Sequence, residues 1–245
     1  LSIKRVMTPA VAQILGVETP RVWSFIVTIF GDLARHDDRY ISSRTLNRLT
    51  AEIGVKPEAT RVALYRLRKE DWLESTKLGR ESHYRLTKNG RKLSREAAPR
   101  IYGPASDHSV MLSIYDPTLS PPDGLRILSG ISLVKTGFAD ALNIEIDKPL
   151  PKWIVDRLID EELQRAILDL QRRLSVLAIS SNASDLDRTV VRLSIVHEWR
   201  RIILRLPVAP YQMLEQAISL RDLRQTVQEL LSSLSDVSLD QIIDV

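Results

Sequence analysis

The chain contains no cysteine, which excludes disulfides, thiolate metal sites and cysteine nucleophiles and leaves location to be read from targeting signals. No apolar run approaches the ~20 residues that a membrane-spanning helix requires. No signal-like segment opens the sequence, so a cytoplasmic location is the expectation. Only nine glycines are present, and none lies in a glycine-rich loop of the kind that cradles phosphate. The four histidines form no pair at metal-ligand spacing and enter no Ser/His/Asp arrangement. Neither an enzyme nor a cofactor or metal is therefore expected.

What the chain does have is an ordinary globular composition, 44% apolar and 27% charged, over 245 residues, a length that favours two or three domains. The net charge of +4 conceals an asymmetry. Residues 1–100 hold 20 Lys and Arg against 11 Asp and Glu, a balance of +9, while the remainder is −5. Positive charge gathered at one end is what a module needs to displace counterions from a polyanion. The acidic remainder suits sensing or assembly better than wrapping nucleic acid.

The basic part reads as a winged helix-turn-helix. A first helix from about Ser43, whose hydroxyl can cap it, runs to Ile53 with Leu46, Leu49 and Ile53 at helical spacing. Gly54 can take the left-handed conformation that ends it, and Pro57 suits the first turn of a second helix. In that helix Ala59, Val62, Ala63 and Leu67 form the expected buried stripe, leaving Thr60, Arg61, Leu64, Tyr65 and Arg68 outward. Next come two strands around a Gly79-Arg80 tip, with Lys77 and Arg85 alongside, which read as the wing. The expected DNA-binding set is Arg44, Lys56, Thr60, Arg61, Tyr65, Arg68, Lys77, Arg80 and Arg85, because Arg can bond a guanine edge twice and these side chains also suit phosphate oxygens.

Around this unit, residues 3–17 have the spacing of an extra arm, and residues 20–33 read as a helix apolar on most sides. Thr87 is placed to cap a helix that runs to about Ile101, with Asn89-Gly90 near its start. Residues 110–115 read as a strand ending at Asp116-Pro117, followed by small elements up to about residue 146. Beyond Pro151 the pattern is helical: one helix carries Trp153, Leu158, Leu163, Ile167, Leu170 and Leu174, a second Leu186, Val190, Leu193, Val196, Ile203 and Leu204, a third Met213, Ile218, Leu223, Val227, Leu230 and Leu231. The expected class is α+β, mostly α. Its expected domains are 1–102 with the winged helix, 103–150 with a small α+β fold, and 151–245 helical, for effector binding or dimerisation.

Four motifs then match a known pattern in order and spacing. Trp23-Ser24-Phe25-Ile26-Val27-Thr28-Ile29-Phe30-Gly31-Asp32 comes first, then Thr60-Arg61-Val62-Ala63-Leu64-Tyr65-Arg66-Leu67 with Trp72-Leu73. Gly79-Arg80 with Tyr84-Arg85-Leu86-Thr87 and a later His197-Glu198-Trp199-Arg200-Arg201 complete the set. Together they resemble the PaaX family of phenylacetic-acid catabolism regulators. The resemblance implies a bacterial repressor, dimeric on a palindromic operator and released by an aryl-CoA thioester such as phenylacetyl-CoA. It also implies a ferredoxin-like central domain. In that reading His197, Trp199, Arg200 and Arg201 would bind the effector, since two adjacent cations beside an aromatic ring suit phosphates and adenine; ion pairs within the helices are the competing use of the two arginines.

A lone winged helix reads too few base pairs for a genome, which also favours a homodimer on double-stranded DNA. Two alternatives remain. One is a metal-dependent nuclease, because Ile114-Tyr115-Asp116 looks like the strand-end acid of Cas2-type nucleases, to which the family's central domain is similar in shape. A single Asp is insufficient for that chemistry, and an Asp before proline is expected to start a turn. The other is a DNA-anchored scaffold without effector.

Overall fold

A computed structural model describes residues 7–16, 19–35, 39–104, 110–119, 124–146, 148–207, 214 and 220–235. Its contacts gather into two units, Leu1–Gly103 with Arg173–Arg201 and Val227–Val245, and Pro104–Arg172 with Ile202–Thr226. The expectation of three consecutive domains is thereby replaced. Residues beyond 150 do not form a unit of their own, because the helix 185–203 is buried on nearly every side over residues 189–199 and becomes part of the first unit's core.

In the first unit, α1 (Pro9–Leu15) is capped by Thr8, whose Oγ1 accepts from the Val11 amide at 3.4 Å. Ile3, Val6 and Val17 of the expected arm lie outside the described residues. α2 (Val22–Leu33) is buried without a break from Ser24 to Phe30, as apolar residues on most of its sides predict. Next in the chain are β1 (Ile41–Ser42), α3 (Ser43–Ala51), α4 (Pro57–Lys69), β2 (Leu73–Leu78), β3 (Glu81–Leu86) and α5 (Lys88–Tyr102). The α3 cap is Ser42, not Ser43: its Oγ accepts from the Thr45 amide at 3.1 Å. Between α3 and α4 the chain turns at Gly54, with φ +78°, and α4 opens on Pro57, whose missing amide hydrogen is no loss in a first turn.

Strands β2 and β3 pair antiparallel from Leu73↔Leu86 to Leu78↔Glu81, with β1 on the far side of β3, giving the order β1-β3-β2. Thr87 caps α5 by accepting from the Gly90 amide at 3.0 Å. A glycine in a helix is unfavourable by about 1 kcal/mol relative to alanine, but here a Cβ would come within 2.4 Å of the Trp72 carbonyl oxygen. The close approach of the β2 entrance to α5 therefore requires Gly90.

Three further helices are α7 (Glu161–Ser175), α8 (Asp185–Ile203) and α9 (Leu220–Ser233), and α6 (Lys152–Leu158) precedes them. Residues 189–199 of α8 are buried all round except Arg192. The indole Nε1 of Trp199 donates to the Ile101 carbonyl at 2.9 Å, tying α8 to the end of α5. Arg192 donates to Asp32 of α2 twice, Nε to Oδ2 at 2.7 Å and Nη2 to Oδ1 at 2.9 Å. Trp199, Phe25, Phe30, Leu46, Leu49 and Leu67 are among the largest fully buried side chains, so α2, α3, α4 and α8 share this core.

The second unit is built on β4 (Val110–Tyr115), β5 (Gly124–Leu128), β6 (Ile131–Val134) and β7 (Ala141–Ile146), in the order β5-β6-β4-β7 with every neighbouring pair antiparallel. The expected strand at 110–115 is present. Among the described residues neither the β4–β5 nor the β6–β7 connection carries a helix, unlike the ferredoxin-like arrangement that the resemblance implies. Met213 and Ile218 of the expected last helix lie outside the described residues. Among the described residues no helix is long and apolar enough to cross a membrane.

Candidate nucleic-acid interface

Helix α4 presents a continuous polar and cationic surface. Arg61, Tyr65, Arg66, Arg68 and Lys69 are all exposed, and Val62 stands among them at 69% exposure. At 100° per residue, Glu58, Val62, Tyr65 and Lys69 form the crest, flanked by Arg61 and Arg68 on one side and Arg66 on the other. The buried face is made of Thr60, Ala63, Leu64 and Leu67.

That face lies roughly 70° from the stripe expected from sequence, and it corrects the assignment of four residues. Thr60 is fully buried and does not belong to the outward set: its Oγ1 lies 2.8 Å from that of Thr50, whose hydroxyl donates to the Leu46 carbonyl at 2.8 Å. Leu64 is buried with it, while Ala59 and Val62, expected inside, face out. A threonine whose hydroxyl finds a partner on the neighbouring helix buries a methyl group at little polar cost. Val62, Arg66 and Lys69 are residues of this surface that sequence reasoning missed.

The remaining expected residues surround α4. Lys56 is exposed at its amino-terminal cap and Arg44 at the start of α3. Lys77 and Arg80 are exposed on the β2–β3 hairpin, Arg80 at the two-residue tip. The hairpin is fixed to α3 by Glu81, whose carboxylate accepts from the Arg44 amide at 2.8 Å. That hydrogen bond, with help from Ser42 and the nearby Arg44 charge, holds the Glu81 carboxyl below the usual carboxylate range.

Arg85 is only half exposed and already engaged: its Nε lies 2.6 Å from Glu74 and its guanidinium lies over Tyr40. Arg66 is engaged too, with Glu70 at 2.7 Å and the Trp23 ring 4.9 Å away. Lys69 lies over the Tyr65 ring at 5.6 Å. Arg61, Arg68 and Arg80 have no carboxylate within ion-pair distance among the described residues, which leaves them available to an outside anion.

The expected effector residues do not line an open site. His197 and Trp199 are buried in the first unit. His197 Nδ1 lies 3.2 Å from the Thr28 hydroxyl and its ring packs at 5.4 Å from Phe25. Burial, reinforced by the charges of Arg200 and Arg201, pushes its pKa down to about 3, so the imidazole is neutral. Arg200 donates to the Ser24 carbonyl and hydroxyl at 3.0 and 2.7 Å, and Arg201 to Glu198 at 3.2 Å. These four residues were read as a ligand site because cations stand beside an aromatic ring. On a helix that enters the core, His197 and Arg200 instead meet polar groups of α2 and Trp199 meets α5, while the exposed Arg201 pairs with Glu198 of its own helix.

Asp116 is exposed just after β4, and its Oδ1 accepts from the amide and hydroxyl of Thr118, both at 2.8 Å. It shapes the turn expected before Pro117. Among the described residues there is no group of three or more His, Asp or Glu able to hold a metal ion.

A family match falls on this same segment. Residues 21–90 match a family described as PaaX-like protein. The transcriptional repressor PaaX of Escherichia coli (strain K12) is 37% identical over 79 residues, which are 32% of this chain and 25% of that protein. The chain therefore spans a quarter of the length of the curated relative it matches. In overall fold it is similar to the uncharacterized protein Rv0674 from Mycobacterium tuberculosis, with a TM-score of 0.51 at 15% identity, over 92% of this chain and 98% of that one. Residues 21–90, from the entry of α2 to the first turn of α5, are thus the part of the chain that is similar to the PaaX-like family.

Proposed function

We propose that this protein is a sequence-specific DNA-binding transcriptional regulator, in which α3, α4 and the β2–β3 hairpin act as a winged helix-turn-helix. The observation that carries this reading is the exposed face of α4, where Arg61, Tyr65, Arg68 and Lys69 surround Val62 on a rigid helix. A helix with such a face fits the major groove. Arg61 and Arg68 suit guanine edges or phosphates, and the Val62 methyls suit a thymine methyl. The hairpin tip brings Arg80 and Lys77 to the flanking backbone or minor groove, where they add affinity without base preference.

The relative in Escherichia coli is named as a transcriptional repressor, which supports repression as the direction of control. A dimer on a palindromic operator, release by an aryl-CoA thioester and control of aromatic-compound catabolism extend the proposal by family resemblance. Since His197 and Trp199 are buried, a thioester has to be recognised by other residues.

The test is equilibrium binding of the full chain to duplex fragments from upstream of its own gene, with salt varied and Mg2+ present. We expect one sequence to be bound at least about a thousandfold more tightly than random duplex, with affinity falling steeply with salt and the DNA left uncut. Equal, weak binding to every duplex would defeat the regulator reading. Cleavage of the DNA would establish the nuclease alternative in its place.

A further inference from the structure

The exposed face of α4 carries Arg61, Arg66, Arg68 and Lys69, but its first turn also carries an acid, Glu58. At 100° per residue Glu58 stands on the side of the helix opposite the fully buried Leu67, in line with the exposed Val62 and Tyr65. Its carboxylate enters none of the ion pairs of the described residues, although Lys56 and Arg61 flank it in the chain. A recognition helix meets base edges mainly with its amino-terminal residues, so this acid stands where sequence is read. An acid that faces a polyanion weakens binding to phosphate at every sequence. It helps only where a hydrogen-bond donor meets it.

We propose, resting on the DNA-binding reading of α4, that Glu58 is a specificity-determining residue that selects cytosine. In the major groove cytosine presents its N4 amino donor with no acceptor of its own beside it, whereas adenine sets the N7 acceptor next to its N6 donor. Guanine offers two acceptors, and thymine an acceptor and a methyl group. An ionised carboxylate can only accept. It therefore bonds cytosine N4 and is repelled by guanine and thymine, so the wrong base is rejected as well as the right one bound. Arg61, three residues on, is purely a donor and suits guanine. The two side chains make opposite demands on the groove, which gives α4 a base preference that its cations alone would not have.

A first-turn acid can also complement the helix dipole. That role needs the carboxylate near the free amides of the first turn, is indifferent to its facing the groove, and leaves base preference untouched.

Equilibrium binding of the full chain separates the two roles. Wild type, Glu58→Ala and Glu58→Gln are compared on the duplex that the wild type selects from a random library, on its single-base variants and on random duplex, with thermal unfolding of each chain alongside. At one position the wild type should prefer cytosine over the other three bases by about tenfold or more. Glu58→Ala should reduce that preference to within about twofold and bind random duplex more tightly, because an acid has left the interface. Glu58→Gln should move the preference to adenine, whose N6 and N7 match the acceptor and donor of the amide. A cytosine preference that Glu58→Ala retains, with or without a lower melting temperature, would make Glu58 a partner of the helix dipole and overturn the assignment. Specific binding by the wild type would then leave the regulator reading standing. Equal binding of every duplex by the wild type would overturn both.

Discussion

Replacing Asp32 by alanine should destabilise the first unit more than almost any other single change. The Asp32 side chain is 2% exposed and accepts two bonds from Arg192, at 2.7 and 2.9 Å, and one from the Tyr102 hydroxyl at 2.9 Å. Burial works against the Arg192 charge, but its hydrogen bond to Asp32 and the carboxylate charge outweigh this and raise its pKa. Burial, followed by the nearby Asp32 charge, likewise pushes the Tyr102 phenol well above its usual range. Without Asp32, the guanidinium keeps, among the described residues, its Nη1 bonds to the Leu231 and Leu234 carbonyls, at 3.1 and 3.3 Å, and Tyr102 loses its Asp32 acceptor. Removing one partner of a buried pair typically costs about 3–5 kcal/mol. Replacing both partners, as in Asp32→Leu/Arg192→Met, should recover most of that, since no charge is then stranded. Urea unfolding followed by circular dichroism and tryptophan fluorescence measures both. A loss below about 1 kcal/mol for Asp32→Ala, the range of a solvated surface pair, would show that α8 is not anchored to α2 in this way.

Two further outcomes follow from the interior of the first unit. Thr60→Val removes one buried hydroxyl bond, leaves Thr50 bonded to Leu46, and should cost about 1 kcal/mol of stability with no change in base preference. A Thr60→Val chain that is stable yet cannot discriminate between duplexes would return Thr60 to the DNA-facing surface. His197 should make the fold acid-sensitive. Its folded-state pKa, near 3 against an ordinary 6.5, means that the unfolded chain takes up a proton below 6.5 that the folded chain refuses. Its contribution is complete above pH 6.5 and is lost as pH falls toward 3, at up to about 1.4 kcal/mol per pH unit. Urea midpoints of His197→Asn and wild type compared across that interval should show a shallower slope for the variant; identical slopes would contradict the buried neutral imidazole.

The local signals of the DNA-facing part were legible because each rests on a residue with one strong backbone preference. Gly54 takes the left-handed turn, Pro57 opens α4 and Thr87 caps α5. The choice between Ser42 and Ser43 as cap was not legible, since adjacent serines fit equally well. The facing of α4 was misread because Thr60 counts as polar in any periodic pattern. Its burial depends on meeting Thr50, a contact made only once the two helices are packed. Helix α8 was misplaced for a related reason: a stripe such as Leu186, Val190, Leu193 and Val196 indicates burial without indicating against what, and the polar His197 beside it is buried only by meeting Thr28 and Phe25 of α2. The cations and ring at 197–201 therefore resembled a ligand site, although their partners, Ser24, Thr28 and Ile101, lie far away in sequence.

The central claim is that the exposed face of α4 reads bases while the hairpin tip supplies charge, and it is tested most directly by comparing Arg61→Ala with Arg80→Ala on the preferred duplex and its single-base variants. Arg61→Ala should lose about 1–3 kcal/mol and relax preference at one base position. Arg80→Ala should weaken all duplexes alike and lower the slope of log affinity against log salt by about 0.9. Variants that both bind like wild type, with base preference and salt slope unchanged, would contradict the account.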